Sequence, residues 1–206
     1  MHFLRPLTER LACNIFSILG KLSLRSLRTL GSFLGRVAWY YPSGYKTKLL
    51  ANIKVVLPQN TRTLARISFC QMFETYFELP FIWSKHNATR LTDVNNTFDW
   101  HPAEKHLRTG CGTLLISAHL GSYELLLPLW AQKHPVTVLY KPSKIPLLQK
   151  LIESSRTCSN LKILPATRHG IRQLIKDLMN GGTAGLLVDH LPPKGSGVYA
   201  RSEERR

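Results

Sequence analysis

Five residues after His119 comes Glu124, within the run Ala118-His119-Leu120-Gly121-Ser122-Tyr123-Glu124. A carboxylate on one imidazole nitrogen fixes the tautomer and supports the imidazolium that forms when the other nitrogen takes a proton. Such a pair acts as a general base, a device that contributes roughly 10²–10⁴-fold in rate. No serine elbow of the form G-x-S-x-G accompanies it. The pair would therefore activate the hydroxyl of an external acceptor directly.

Other candidate groups carry less chemistry. Cys13, Cys70, Cys111 and Cys158 are widely spaced and form no C-x-x-C pair, so they read as reduced thiols with neither metal-ligand nor disulfide spacing. His101 and His106 flank Glu104 without a third ligand and read as a surface pair; no metal site is expected. His169 and His190 fall near candidate site loops without an assigned role. Glu74 and Glu78, one helical turn apart, read as a solvated helix edge. The N-x-T triplets at Asn87 and Asn95 carry no weight without a cleavable signal sequence.

A spacing of H-x4-E needs a scaffold that makes it a turn. After about residue 90, short apolar runs alternate with helical patterns. Thr113–Ser117, Val136–Tyr140, Leu161–Leu164 and Thr183–Val188 read as strands; Glu124–Gln132, Ile145–Arg156 and Gly170–Met179 read as helices. This order predicts an α/β fold, a largely parallel sheet flanked by helices. Ligands of such sheets bind beyond the carboxyl ends of the strands, and His119 sits at one. Gly121 permits a tight turn, and Glu124 opens the following helix.

The first part of the chain is helical in pattern and strongly basic. The formal net charge is +16 over 206 residues, and up to Phe73 the only acid is Glu9. Lys21, Arg25, Arg28, Ser32 and Arg36 share one helical face; Leu24, Leu27, Leu34 and Ala38 share another, which Leu30, Phe33 and Val37 widen. The aromatic cluster Trp39-Tyr40-Tyr41 follows. This pattern predicts a basic amphipathic helix at a membrane interface. Leu11–Gly20 is too short for a confident span and reads as a segment that lies on or dips into the bilayer. Tyr45–Leu57 reads as a helix, and the next is capped by Asn60 or Thr61 and buries Leu64, Ile67, Phe73, Phe77 and Phe81. At 44% hydrophobic residues the chain is not disordered, and its length suits one domain with a real core. The expected division is 1–42 for membrane association, 43–200 for the α/β domain and 201–206 as a tail.

With these blocks in place, the chain resembles the bacterial lipid A biosynthesis acyltransferases, the lauroyl and myristoyl transferases, from about Leu30 to Tyr199. LGRVAWYYPSGYKTKLLANIKVVLP resembles the family's opening, GTLLISAHLGSYELLLPLW its H-x-G-N-W-E block, LYKPSKIPLLQKLIESSR its strand and helix ending in arginine, and TAGLLVDHLPPKGSGV its block with a late acidic residue. The resemblance implies transfer of a fatty acyl chain from acyl carrier protein to a hydroxyl of a phosphorylated glucosamine lipid, at the cytoplasmic face of the bacterial inner membrane. His119 would be the general base and Glu124 its orienting partner. Gly121, Ser122, Lys141 and Arg156 would meet substrate, and Asp189 would help shape the site. The donor is a carrier-linked fatty acid and no cofactor is implied. The expected partners are acyl carrier protein, anionic membrane lipid and the lipid A precursor.

The chain also departs from the family pattern. Ser122 and Tyr123 stand where Asn and Trp are usual, and Tyr140-Lys141 where Tyr-Arg is commoner. After Tyr199 the family continues through a Phe-Phe-Gly block, whereas this chain runs into Arg201-Ser202-Glu203-Glu204-Arg205-Arg206, which reads as the end of a truncated or frame-shifted product. Within enzymes the alternative is a glycerophospholipid acyltransferase, which typically shows Asp in place of Glu124. From other classes, the charge also fits an inactive membrane-bound remnant or a nucleic-acid-binding protein. No helix-turn-helix, RNA-recognition or zinc-finger signature accompanies it, so nucleic acid is not an expected partner.

Overall fold

A computed structural model describes residues 5–84 (side chains from Leu11 onward), 87–107, 110–143, 149, 152 and 160–189. The expected Arg156, His190, the approach at 197–199 and the tail 201–206 lie outside these residues, as does most of the expected helix Ile145–Arg156.

The helices of the first half form where the sequence supplies apolar stripes and caps. They are α1 (Arg5–Gly20), α2 (Leu24–Ala38), α3 (Gly44–Val56) and α4 (Thr61–Ile82), with a 3₁₀ turn at Pro58–Asn60 before α4. Ser23 and Ser43 cap α2 and α3 by accepting the backbone N–H of Ser26 and Lys46. Asn60 occupies the cap position of α4 but makes no side-chain cap bond. Short helices α5 (Ala88–Asn95) and α6 (His101–Glu104) lead to the sheet. No helix among the described residues is long and apolar enough to cross a membrane.

Helix α2 lies close along α4. A Cβ on Gly31 would come within 2.8 Å of the Phe73 carbonyl oxygen, and one on Gly35 within 2.9 Å of Cys70 Cα. Only glycine allows backbones to approach this closely. The contact turns α4 away from the expected orientation: Ala65, Phe69, Cys70 and Glu78 are buried and Ile67 is exposed, while Phe81 is buried as expected. The apolar face of α2 is also narrower than expected, since Phe33 and Val37 are exposed while Leu27 is fully buried. Leu27 joins Phe81, Ile82, Leu91, Leu125 and Leu129 in one core cluster, which ties the N-terminal helices to the helix behind His119.

Among the described residues the sheet has four strands, β1 (Thr113–Ser117), β2 (Val136–Tyr140), β3 (Leu161–Pro165) and β4 (Thr183–Leu187), in the order β1-β4-β2-β3 with every pair parallel. Helix α7 (Tyr123–Ala131) follows β1, and α8 (Arg168–Met179) precedes β4. Strand ends agree with the sequence reading within a residue, and α8 starts two residues earlier because Thr167 caps it through Gly170 N–H. Alternation along β2 shows that α7 and α8 cover opposite faces. Val136 and Val138 pack with Trp130 of α7, while the Thr137 hydroxyl donates to Asp177 of α8 at 3.1 Å. All three are buried, as a parallel strand between two helix layers requires.

Candidate active site

Strands β1 and β4 are neighbours, and their register pairs Ser117 with Leu187. Each chain then runs two residues further, to His119 and to Asp189. The pairing persists just past the strand ends, where Val188 N–H donates to the Ser117 carbonyl at 3.2 Å. Parallel register therefore brings the two side chains together at the carboxyl edge of the sheet. His119 Nδ1 lies 2.8 Å from Asp189 Oδ1, and the His119 backbone N–H donates to Oδ2 at 3.0 Å. The carboxylate grips both the ring and the backbone of one residue. The imidazole hydrogen bond, ahead of the backbone one, holds the Asp189 carboxyl below its ordinary value of 3.8, against a smaller opposing effect of desolvation.

The turn after His119 is held from several sides. Gly121 has φ +57° with open space where a Cβ would be, so its backbone conformation, and not crowding, calls for glycine. The Tyr123 ring stands edge-on to the imidazole, with centroids 4.8 Å apart. Ser122 occupies the cap position of α7 but makes no cap bond; its hydroxyl donates instead to Glu78 of α4. Glu124, in the first turn of α7, accepts a hydrogen bond from the Trp83 indole at 3.3 Å. The end of α4 thus reaches the start of α7 twice.

Two clefts meet at His119. One, of about 850 Å³, runs between α2, α4 and the turn, and is lined by Arg28, Gln71, Glu74, Glu78, His119 and Ser122 among others. The other, of about 510 Å³, lies between α7 and the sheet, lined by Leu115, Leu126, Leu127, Val138 and Leu187 as well as by His119 and Tyr123. The first is rich in polar groups and the second is apolar. Arg28 also borders a neighbouring groove lined by Arg25, Ser32, Phe33 and Arg36, so the polar cleft continues onto the basic face of α2.

The expected site residues are thereby distributed as follows. His119, Gly121, Ser122, Glu124 and Asp189 gather at the β1–α7 turn and the end of β4, and Asp189, expected to shape the site, is the residue on Nδ1. Lys141 is exposed just past the end of β2, on the same edge of the sheet. Arg156 lies outside the described residues. Glu78 is the residue that sequence reasoning missed. Its expected place on a solvated edge is overturned, for it is only 3% exposed. The available signal was an acid inside the apolar run Phe77-Glu78-Leu79-Pro80-Phe81. Glu104 is likewise engaged, by His134 at 2.8 Å, a contact that holds its carboxyl below its ordinary range. His101 and His106, expected as a surface pair, are both exposed. Among the described residues no group of three or more metal-ligating side chains forms.

The family model for bacterial lipid A biosynthesis acyltransferases matches residues 2–200 of the chain. Among proteins of curated function, no match reaches significance.

Proposed function

The chain belongs to the bacterial lipid A biosynthesis acyltransferase family, and from that premise we propose that it moves a fatty acyl chain from the thioester of acyl carrier protein to a hydroxyl of a phosphorylated glucosamine lipid. The observation that carries this reading is the place of His119, where a polar cleft and an apolar cleft meet. The acyl chain occupies the apolar cleft, where burying each methylene is worth about 0.8 kcal/mol. The acceptor enters through the polar cleft, its phosphate drawn by Arg28 and the arginines of α2.

His119 is the general base. With Nδ1 turned to Asp189, Nε2 takes the proton of the acceptor hydroxyl. The oxygen attacks the thioester carbonyl, the C–O bond forms, the C–S bond breaks, and the imidazolium returns the proton to the departing thiolate. Asp189 and Glu124 are the two carboxylates that stabilise the cationic ring, the first by direct contact and the second from the start of α7. No cofactor takes part in this scheme.

The reaction takes place at the cytoplasmic face of the inner membrane. Helix α2 and the residues just after it support this reading because they expose cations and apolar groups together: Arg25, Arg28 and Arg36 beside Phe33 and Val37, then Tyr40 and Tyr41. Each cation near an anionic leaflet contributes about 1 kcal/mol. The same positive surface suits the acidic carrier protein.

The test is transfer in membranes, with an acyl-carrier donor and a diphosphorylated glucosamine lipid as acceptor, followed by product mass. A gain of one acyl chain, reduced about 10³-fold by His119→Ala, is the expected result. Product from both versions would reject His119 as the base. Acylation of a glycerol phosphate acceptor in place of the glucosamine lipid would reject the substrate assignment and leave the acyl transfer intact.

A further inference from the structure

Glu78 is a carboxylate buried in the middle of an apolar helix run, and the acyl-transfer scheme gives it no chemical task. A buried charge is costly unless it is paired and hydrogen-bonded. Its two oxygens are engaged in different directions. Oε2 accepts the hydroxyl of Ser122, and Oε1 faces the Arg28 guanidinium at 3.6 Å. Arg28 also reaches Glu74, one turn earlier on α4, at 3.4 Å. The side chain of Glu78 is 4% exposed, whereas that of Arg28 is 56% exposed and shared between two acids. The more shielded of the two contacts is therefore the bond to Ser122, and Arg28 supplies a counter-charge from the rim.

The partner matters more than the bond. Ser122 is the cap residue of α7 and lies between Gly121, whose positive φ makes the turn, and Tyr123, whose ring braces the imidazole. Serine at a helix start ordinarily caps its own helix, and here that bond is given up for one to a helix 44 residues earlier in the chain. Glycine at position 121 brings conformational freedom that a fixed base cannot tolerate without an external hold.

We propose that Glu78 is a positioning residue for the catalytic turn: it clamps Ser122 against α4 and thereby sets where the His119 ring stands relative to the two clefts. It touches neither the base nor the reacting atoms. A base displaced by an ångström loses on the order of 10²-fold in rate, so the clamp governs kcat and leaves KM nearly unchanged.

The proposal rests on His119 as base for its kinetic readout only; the turn itself is read independently by amide hydrogen exchange. The 206-residue protein in detergent would be compared with Glu78→Ala, Ser122→Ala, the double variant and Glu78→Gln. Exchange of the peptide covering 119–126 rises at least five-fold in either alanine variant and no further in the double one, because both remove the same bond. Glu78→Gln, whose amide oxygen still accepts from Ser122, stays within about three-fold of the native protein in exchange and in kcat. The alanine variants lose about 10–100-fold in kcat with KM within two-fold. Should Glu78→Ala fail to fold, Ser122→Ala decides alone. Unchanged exchange of that peptide in Ser122→Ala, or additive losses in the double variant, would overturn the clamp. Exchange that shifts as expected in a protein without acyl transfer would uphold the clamp and reject the proposed reaction.

Discussion

The two clefts at His119 are built in different ways. The apolar one lies between α7 and the sheet, and its walls are residues of regular strands, one face of α7, and Trp100 and Ala103 at α6. The polar one lies between that turn and the packed pair α2 and α4, and its walls include one buried acid and one partly buried acid facing an exposed arginine. The first is shaped by close packing and the second by charge placement, so on the proposed reading the first selects by volume and the second by polarity and phosphate. Among the described residues, only His119 and Tyr123 border both. A change in one wall away from the turn and its clamp should therefore disturb one substrate, and a change in the shared residues or in what holds them should disturb turnover with either.

The largest effect is expected at the shared centre. Asp189→Asn keeps the shape but offers an amide to Nδ1, which destabilises the imidazolium and disturbs the tautomer. Loss of about 10³-fold in kcat is expected, with KM for donor and acceptor little changed. The sign of the pH effect follows from the lowered carboxyl of Asp189. A depressed folded value means that its contribution is present above the ordinary value of 3.8 and is lost as pH falls through the lowered one. Any acid limb in the rate profile above pH 3.8 thus belongs to another group, and a limb that vanished in Asp189→Asn without moving would contradict this assignment. Glu124→Gln, assayed alongside, ranks the two carboxylates.

Next in size is the apolar wall. Leu126→Trp narrows that cleft, and kcat/KM for the longest donors should fall about ten-fold, while short donors and acceptor KM are spared. An equal loss for every donor would mean that the chain does not enter between α7 and the sheet. The polar wall should respond the other way. Arg25→Ala combined with Arg36→Ala should raise acceptor KM about five-fold, more at low salt than at high, and leave the donor-length profile unaltered. A shift in that profile would erase the distinction between the clefts.

The same division separates what sequence reading could reach from what it could not. The strands were legible because short apolar runs bounded by turns have few alternatives, and their order implied the parallel sheet. His119 and Gly121 were legible because a strand end followed by a turn is a local pattern. The bond from Asp189 to His119 was not, since it depends on β4 lying next to β1, a register 70 residues distant. Glu78 was misplaced for a related reason. Helical periodicity fixes which residues share a face, but the face that is buried is chosen by the neighbour. For α4 that neighbour is α2, which meets it through Gly31 and Gly35.

That contact gives the smallest and most local prediction. The three atoms nearest a Cβ at Gly31 are all backbone, the Phe73 carbonyl oxygen and Glu74 Cα and N, at 2.8–3.1 Å, so no flexible side chain can relieve the clash. Helix α2 must move instead. Overpacking of this kind costs about 1–3 kcal/mol, against which the better helix propensity of alanine returns up to about 1. Gly31→Ala should therefore lower the thermal midpoint by a few degrees, at about 2–4 °C per kcal/mol for a chain of this size. Gly44→Ala is the control: nothing lies within 4 Å of its Cβ, it opens α3, and the midpoint should hold or rise slightly. Because the displaced helix carries Arg28, acceptor KM should rise modestly in Gly31→Ala while donor preference stays constant. An unchanged midpoint in Gly31→Ala would show that α2 and α4 are not so closely packed, and close packing of the two helices would no longer account for the burial of Glu78.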